Sequence, residues 1–227
     1  MVMKAAHLLG IALASLLVGC NTTTTPTATT EMSHDGLTRI EKAGFDQVWV
    51  KRGTDLSQYK RIKLEGVGIE YRPAKCARST MQASSQTEFC LDDKQKARLV
   101  DLIRESFRTE LGKSTRFTLT DETGPDVLLI RGALLDVVSY VPPEPIGRGD
   151  IFLNAVGEAT LIFEIRDASS NAILARVADR RAAERAGDMP QRSNRVTNSY
   201  EVERAARAWA SVLRERLDNA ATIGPTG

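Results

Sequence analysis

Cys20 is the side chain in this sequence whose neighbours most clearly prepare it for chemistry. It follows Leu17, Val18 and Gly19. A thiol there can take a diacylglyceryl group as a thioether, and small Gly19 leaves the next peptide bond open to a peptidase. Cleavage frees the amine of Cys20 for acylation. Upstream lie one positive charge, Lys4, and an apolar run from Leu8 to Val18 broken only by small residues, the n-region and h-region of a secretory signal. That run is shorter than the roughly 20 apolar residues of a membrane-spanning helix. Asn21 and a threonine-rich tract follow it at once.

The Leu17-Val18-Gly19-Cys20 run resembles the lipobox of bacterial lipoproteins. The resemblance implies a signal peptide over residues 1–19, lipidation of Cys20 and a chain held at a membrane by two or three acyl chains. At about 0.8 kcal/mol per buried CH₂, one chain is marginal and two or three anchor firmly. In lipoproteins of this type the residue after the cysteine directs sorting. Asn21 is not the aspartate that retains them in the inner membrane, so the expected location is the periplasmic face of the outer membrane.

With Cys20 lipidated, Cys76 and Cys90 remain as an even pair in an oxidising compartment, and a disulfide is expected. It closes a short loop, worth about 3 kcal/mol in the chain-entropy account. A redox or metal site fits less well, because the spacing is not CxxC and no histidine lies near. The only histidines are His7, in the signal segment, and His34, in the tether. That removes Ser-His-Asp, Cys-His and histidine-zinc machinery, and no metal site or cofactor is expected. There is no P-loop and no GxGxxG. An enzyme would have to run on two carboxylates; Glu158 and Glu164 share a strand face, but six residues along a strand is about 20 Å.

The balance of 31 basic against 29 acidic side chains gives no support for a nucleic-acid partner. Arginine is nevertheless concentrated late in the chain. From Arg176 to Arg216 there are ten arginines and no lysine, against six acidic residues. Arg176, Arg180 and Arg181 are the candidates for an anionic-ligand patch, since arginine grips phosphate and carboxylate bidentately. A solvated face is the plainer reading.

The elements that must position these groups form one domain, residues 35–219, between a Thr-rich tether (20–34) and a loose tail (220–227). The tether's threonines, alanines and proline bury too little apolar surface to order it. Asp92 to Leu111 is the strongest helix, with a capping box at Asp92 and Gln95 and Gly112 placed to end it. Its stripe of Val100, Ile103, Phe107 and Leu111 is widened by Leu99 and Leu102. A second helix is expected from a box at Asn198 and Glu201, with Val202, Ala206, Trp209, Leu213 and Leu217 as its core stripe. Val48 to Val50 reads as a short strand, and Tyr59 to Tyr71 as a longer one with a parity change at Gly66. Val127 to Tyr140 is apolar on both parities and reads as a central strand, with a bulge at Gly132. Gly157 to Asp167 and Ile173 to Arg181 form a hairpin that sets Arg176 and Arg180 opposite or diagonal to Glu164 and Glu158. The expected fold is α+β, a mainly antiparallel sheet of about four or five strands with two helices packed on one face.

Four segments carry a family resemblance: DGL at Asp35, VWVKRGTDLSQYKRIKL from Val48, GPDVLLIRGALLDV from Gly124 and GEATLIFEIRDASSNAILARVADRRAAE from Gly157. They resemble a bacterial lipoprotein family catalogued as domain of unknown function 3313. The resemblance implies an envelope location and a compact α+β domain, and supplies no catalytic residue. More distantly, the order of helix, three strands and helix is similar to auxiliary lipoproteins of envelope transport systems. The function expected is a non-enzymatic binding or assembly module whose partners are the membrane, through Cys20, and envelope proteins or peptidoglycan. The alternatives are an auxiliary subunit of an envelope transport system and a carboxylate-based cell-wall hydrolase.

Overall fold

The computed structural model describes residues 27–41, 43–74, 87–142, 150–184, 189–220 and 222–223. Cys20, the signal segment and Cys76 lie outside the described residues. In chain order the elements are β1 (Thr27–Met32), β2 (Thr38–Glu41), β3 (Gln47–Val50), β4 (Thr54–Asp55), β5 (Arg61–Tyr71), α1 (Asp93–Leu111), β6 (Thr118–Leu119) and β7 (Val127–Ser139). They continue as β8 (Phe152–Leu153), β9 (Ala155–Asp167), β10 (Ile173–Glu184), β11 (Gln191–Arg192), α2 (Arg195–Asn219) and β12 (Thr222–Ile223).

The expected sheet is corrected in both size and direction. Eight strands join in the order β1-β2-β3-β10-β9-β7-β5-β6, and β8-β11 and β4-β12 form small separate pairs. The sheet is mixed: β5 runs parallel to both β7 and β6. Parallel neighbours cannot be joined by a tight turn, and the sequence between β5 and β7 holds α1 as the crossover. The additional strands are short and polar, with too few residues to show a period of two. β1 is the clearest case. Thr27–Met32, expected as tether, is an edge strand whose backbone pairs antiparallel with β2, and the Arg39–Glu31 ion pair at 3.0 Å braces it.

The centre of the sheet follows the expected pattern. β7 lies between β9 and β5; Leu128, Ile130 and Leu134 are buried on one face and Leu129, Ala133 and Leu135 half-buried on the other, so apolar residues occupy both parities. The β9–β10 hairpin turns at Asp167, whose Oδ1 accepts the backbone N–H groups of Ser169 at 3.0 Å and Ser170 at 2.7 Å. Arg176 lies directly opposite Glu164 in this hairpin. The register of β5 against β7 shifts between Gly66 and Gly68, as the parity change requires. The β7 irregularity is not at Gly132, which pairs in register with Phe163, but between Leu135 and Val138. There Asp136 adopts a φ of 55°, the left-handed region that Asp and Asn tolerate better than most residues.

Helix α1 starts as expected, with Asp92 and Gln95 exchanging both capping-box hydrogen bonds. Helix α2 starts earlier than expected. Its cap is Asn194, whose Oδ1 accepts from Val196 N–H and Thr197 N–H at 3.0 Å each, while Thr197 Oγ1 accepts from the cap's own N–H at 3.2 Å. The helices bury their C-terminal halves against the sheet through Phe107, Leu111, Trp209, Leu213 and Leu217. Those ends are tied together. Ser114 Oγ donates to Asp218, and Arg116 Nη1 donates to the Ala220 carbonyl at the C-cap of α2.

Candidate functional site

The N-terminal halves of α1 and α2 do not close on the sheet as their C-terminal halves do. Between them lies a cleft of about 720 Å³, within the usual range for a small-molecule site. Leu99, Leu102 and Ile103 of α1 form one wall, Val202, Ala205 and Trp209 of α2 the other, and Leu134, Val137 and Val138 of β7 are part of the floor. Leu99, Leu102 and Val202 are only half-buried, whereas Phe107, Leu111 and Leu213, one to three turns further along the same stripes, are buried. An apolar stripe at helical spacing reads the same whether its partner is a packed core or an open cleft, so the stripes could be found in the sequence and the cleft could not.

The bulge at Asp136 shapes one end of this site. The extra residue in β7 lets the adjacent Val137 and Val138 both be buried and places the Asp136 carboxylate against Arg72. The pair is bidentate, with Arg72 Nε to Oδ1 at 2.8 Å and Nη2 to Oδ2 at 2.6 Å. Arg72 Nη2 also reaches Glu158 Oε1 at 2.7 Å. Arg180 joins from β10, at 3.2 Å to Asp136 Oδ2, and donates to Glu158 as well. The Arg72 hydrogen bond holds the Asp136 carboxyl below the usual carboxylate range. Burial pushes Glu158 up, but the hydrogen bonds from Arg72 and Arg180 outweigh it and leave Glu158 lowered.

These two carboxylates share Arg72 and Arg180, and both are shifted the wrong way for a general acid, which must hold its proton near neutral pH. Lowered folded pKa values mean stability that is present above the unfolded values and lost as pH falls through the folded ones. The melting temperature should therefore be level near neutrality and fall below about pH 4, where unperturbed Asp and Glu begin to take up protons. Arg72→Gln should be less stable at pH 7 and lose less on acidification. Thermal melts of both proteins from pH 7 to pH 3 check this, and an acid loss as steep in the variant as in the wild type would contradict it.

The structure does not gather Arg176, Arg180 and Arg181 into a patch. Alternation along β10 sends Arg176 and Arg180 to one face and Arg181 to the helix-covered face, and acids answer all three. Arg176 pairs with Asp35 at 2.9 Å and Glu164 at 3.1 Å. Arg181 Nε lies 2.9 Å from Asp179 Oδ2, and its guanidinium stands 6.0 Å from the Trp209 ring centroid. The cations that line the cleft without an ion pair or side-chain hydrogen bond among the described residues are Arg98 and Arg195. Neither stands out in the sequence, since an arginine on the polar side of a helix carries no local sign of what it faces. Among the described residues no three His, Cys, Asp or Glu are disposed to hold a metal. No helix among them is long and apolar enough to cross a membrane.

The chain thus folds as a mixed-sheet α+β domain with a cleft under two helix N-terminal halves. The family described as "Protein of unknown function (DUF3313)" matches residues 28–145, slightly more than half of the chain, and the chain belongs to it. The match takes in the segments at Asp35, Val48 and Gly124 and stops short of the one at Gly157. No curated protein sequence matches the chain. Among solved structures, protein XCC0632 of family DUF330 from Xanthomonas campestris is similar at 12% identity and a TM-score of 0.40, over 73% of this chain and 86% of that one. The PelC dodecamer from Paraburkholderia phytofirmans is similar at 10% identity and a TM-score of 0.36, over 73% of this chain and 96% of that one. A putative neuraminyllactose-binding hemagglutinin homolog from Helicobacter pylori is similar at 9% identity and a TM-score of 0.38, over 74% and 90%. Likeness at that level carries no functional argument.

Proposed function

We propose that this protein is a non-enzymatic binding module of the bacterial envelope, anchored through lipidated Cys20 at the periplasmic face of the outer membrane, and that the cleft between α1, α2 and the sheet takes an apolar ligand. The observation that carries the reading is the cleft itself: about 720 Å³, walled by aliphatic side chains of two helices and a strand. A protein of this size gains stability by filling such space, so an open apolar cleft is a cost that ligand binding offsets.

The test has two readouts on the full-length protein. An environment-sensitive apolar dye should brighten on binding the wild type, and Val202→Trp, which fills the cleft, should reduce that signal about tenfold or more. Cys20→Ala should move the protein out of the outer-membrane fraction. Dye binding indifferent to Val202→Trp would remove the cleft from the account, and retention of Cys20→Ala in the outer membrane at high salt would remove the anchor.

A further inference from the structure

β1 begins level with the middle of β10, and the cleft lies further along β10 on the side from which β1 arrives. Thr27 pairs with Glu41, the neighbouring Ile40 pairs with Val48, and Gln47 beside it pairs with Ala178. From Ala178, β10 runs on toward Arg181 and Ala183, both of which line the cleft. Thr27 follows Cys20 by seven positions, a reach of at most about 25 Å. An anchor at Cys20 can therefore stand on the cleft side of the sheet.

The surface at the cleft end of the molecule suits a membrane as neighbour. Of the five large apolar side chains that stand exposed among the described residues, four belong to the segment around the cleft: Phe152 (59% exposed), Met189 (71%), Val196 (76%) and Tyr200 (60%). Phe152 sits opposite Arg192 in the β8–β11 pair, and Val196 and Tyr200 are one turn apart at the start of α2. Apolar and aromatic side chains of this kind settle at the boundary between headgroups and acyl chains. Charge at the mouth is of one free sign. Asp150 is answered by Arg192 at 2.8 Å and Glu158 by Arg72 and Arg180, while Arg98 and Arg195 are exposed and unanswered among the described residues. Both helices also turn their N-termini, the positive ends of their dipoles, toward this end.

We propose that the cleft takes an acyl chain of an anionic membrane lipid, with Arg98 and Arg195 holding its phosphate at the mouth while Phe152, Met189, Val196 and Tyr200 rest on the membrane interface. The inference rests on the reading of the cleft as an apolar-ligand site and adds the class of ligand. An acyl chain matches the aliphatic walls, and a phosphodiester is the anion that two unpaired guanidinium groups favour.

The test is native mass spectrometry of the full-length protein, released from detergent, with palmitoyl lysophosphatidylglycerol and monopalmitoylglycerol, which share a chain and differ in the phosphodiester. The wild type should prefer the anionic lipid about tenfold, as expected of one or two charge-assisted hydrogen bonds. Arg98→Gln with Arg195→Gln should bring the two lipids to near-equal binding without abolishing either; both side chains are exposed, so the substitutions test charge and not folding. Equal binding by the wild type, or an anionic preference that survives in the double variant, overturns the headgroup assignment and leaves the apolar cleft standing. Binding of neither lipid to the wild type or to Cys20→Ala, or binding unaffected by Val202→Trp, overturns the cleft reading as well. Uptake seen only in Cys20→Ala would place the anchor's own acyl chain in the cleft and overturn the proposal.

Discussion

Replacing Asp179 by alanine should lower the melting temperature by about 6–20 °C, from a loss of about 3–5 kcal/mol at roughly 2–4 °C per kcal/mol for a domain of this size. Asp179 is 4% exposed and is the point at which three parts of the fold meet. Its Oδ2 accepts the indole N–H of Trp209 on α2 at 2.7 Å and Nε–H of Arg181 on its own strand at 2.9 Å. Its Oδ1 accepts the backbone N–H of Asp46 at 2.8 Å, and Asp46 Oδ2 in return accepts the backbone N–H of Arg180 at 2.9 Å. Alanine would leave an arginine charge beside the Trp209 ring without its counter-ion and a buried indole N–H without an acceptor, and an unpaired buried group costs more than the pair contributes. Asp179→Asn keeps one carbonyl oxygen and loses the charge, so its melting temperature should fall between those of the wild type and the alanine variant. Calorimetry of the three proteins at pH 7 is the check. An alanine variant that melts within about 2 °C of wild type, the range of an ordinary surface substitution, would mean that the brace does not hold α2 to the sheet.

Phe163→Ala should cost about 3–5 kcal/mol, as for other large-to-small changes in a closed core. The ring is 2% exposed in the centre of β9, flanked on its own face by Leu161 and Ile165, and meets Phe45 edge to face at 5.6 Å and 79°. Gly132 lies across from it on β7: a Cβ there would stand 3.9 Å from the Phe163 Cβ, so no side chain at the facing position of that strand is placed to collapse into the space. Urea unfolding should show a lower midpoint with an unchanged slope, because the exposed area on unfolding barely alters. Phe163→Leu should cost under about 1.5 kcal/mol. Phe45→Ala in the Phe163→Ala background should add less than it does alone, since the two rings share one contact. Full additivity would mean that the edge-to-face pair contributes nothing beyond its area.

The features of this protein that can be read from its residues alone are those with a local cause. The Asp92–Gln95 box starts α1 because two side chains three residues apart can satisfy two orphan N–H groups with no help from the rest of the chain. The Asp167 turn, the long central β7, the Arg176–Glu164 cross-strand pair and the burial of Trp209 follow likewise from short-range patterns within one strand, hairpin or helix. The family was legible in runs of residues such as GPDVLLIRGALLDV, which the match over residues 28–145 contains.

Long-range contacts set the rest. The edge strands β1, β2 and β6 exist because a neighbour's backbone offers hydrogen bonds, a cause that no period in TATTEM or TRIE records. Asn194 and Asn198 can both cap α2, and only the loop leading from β11 selects Asn194. Glycine is the residue that usually permits a bulge, so the sequence points to Gly132. In the fold it is Asp136 that takes the left-handed conformation, while its carboxylate is gripped by Arg72, 64 residues earlier. The cleft and its two unanswered arginines depend most on the fold. Leu99, Leu102 and Val202 belong to helical stripes indistinguishable from core, and Arg98 and Arg195 are surface arginines until the crossover of α1 and the return of α2 set their N-terminal halves side by side over the end of β7. Spacing of three or four residues fixes what one element can do; which elements face one another, and whether they close, is settled by contacts between residues about a hundred positions apart.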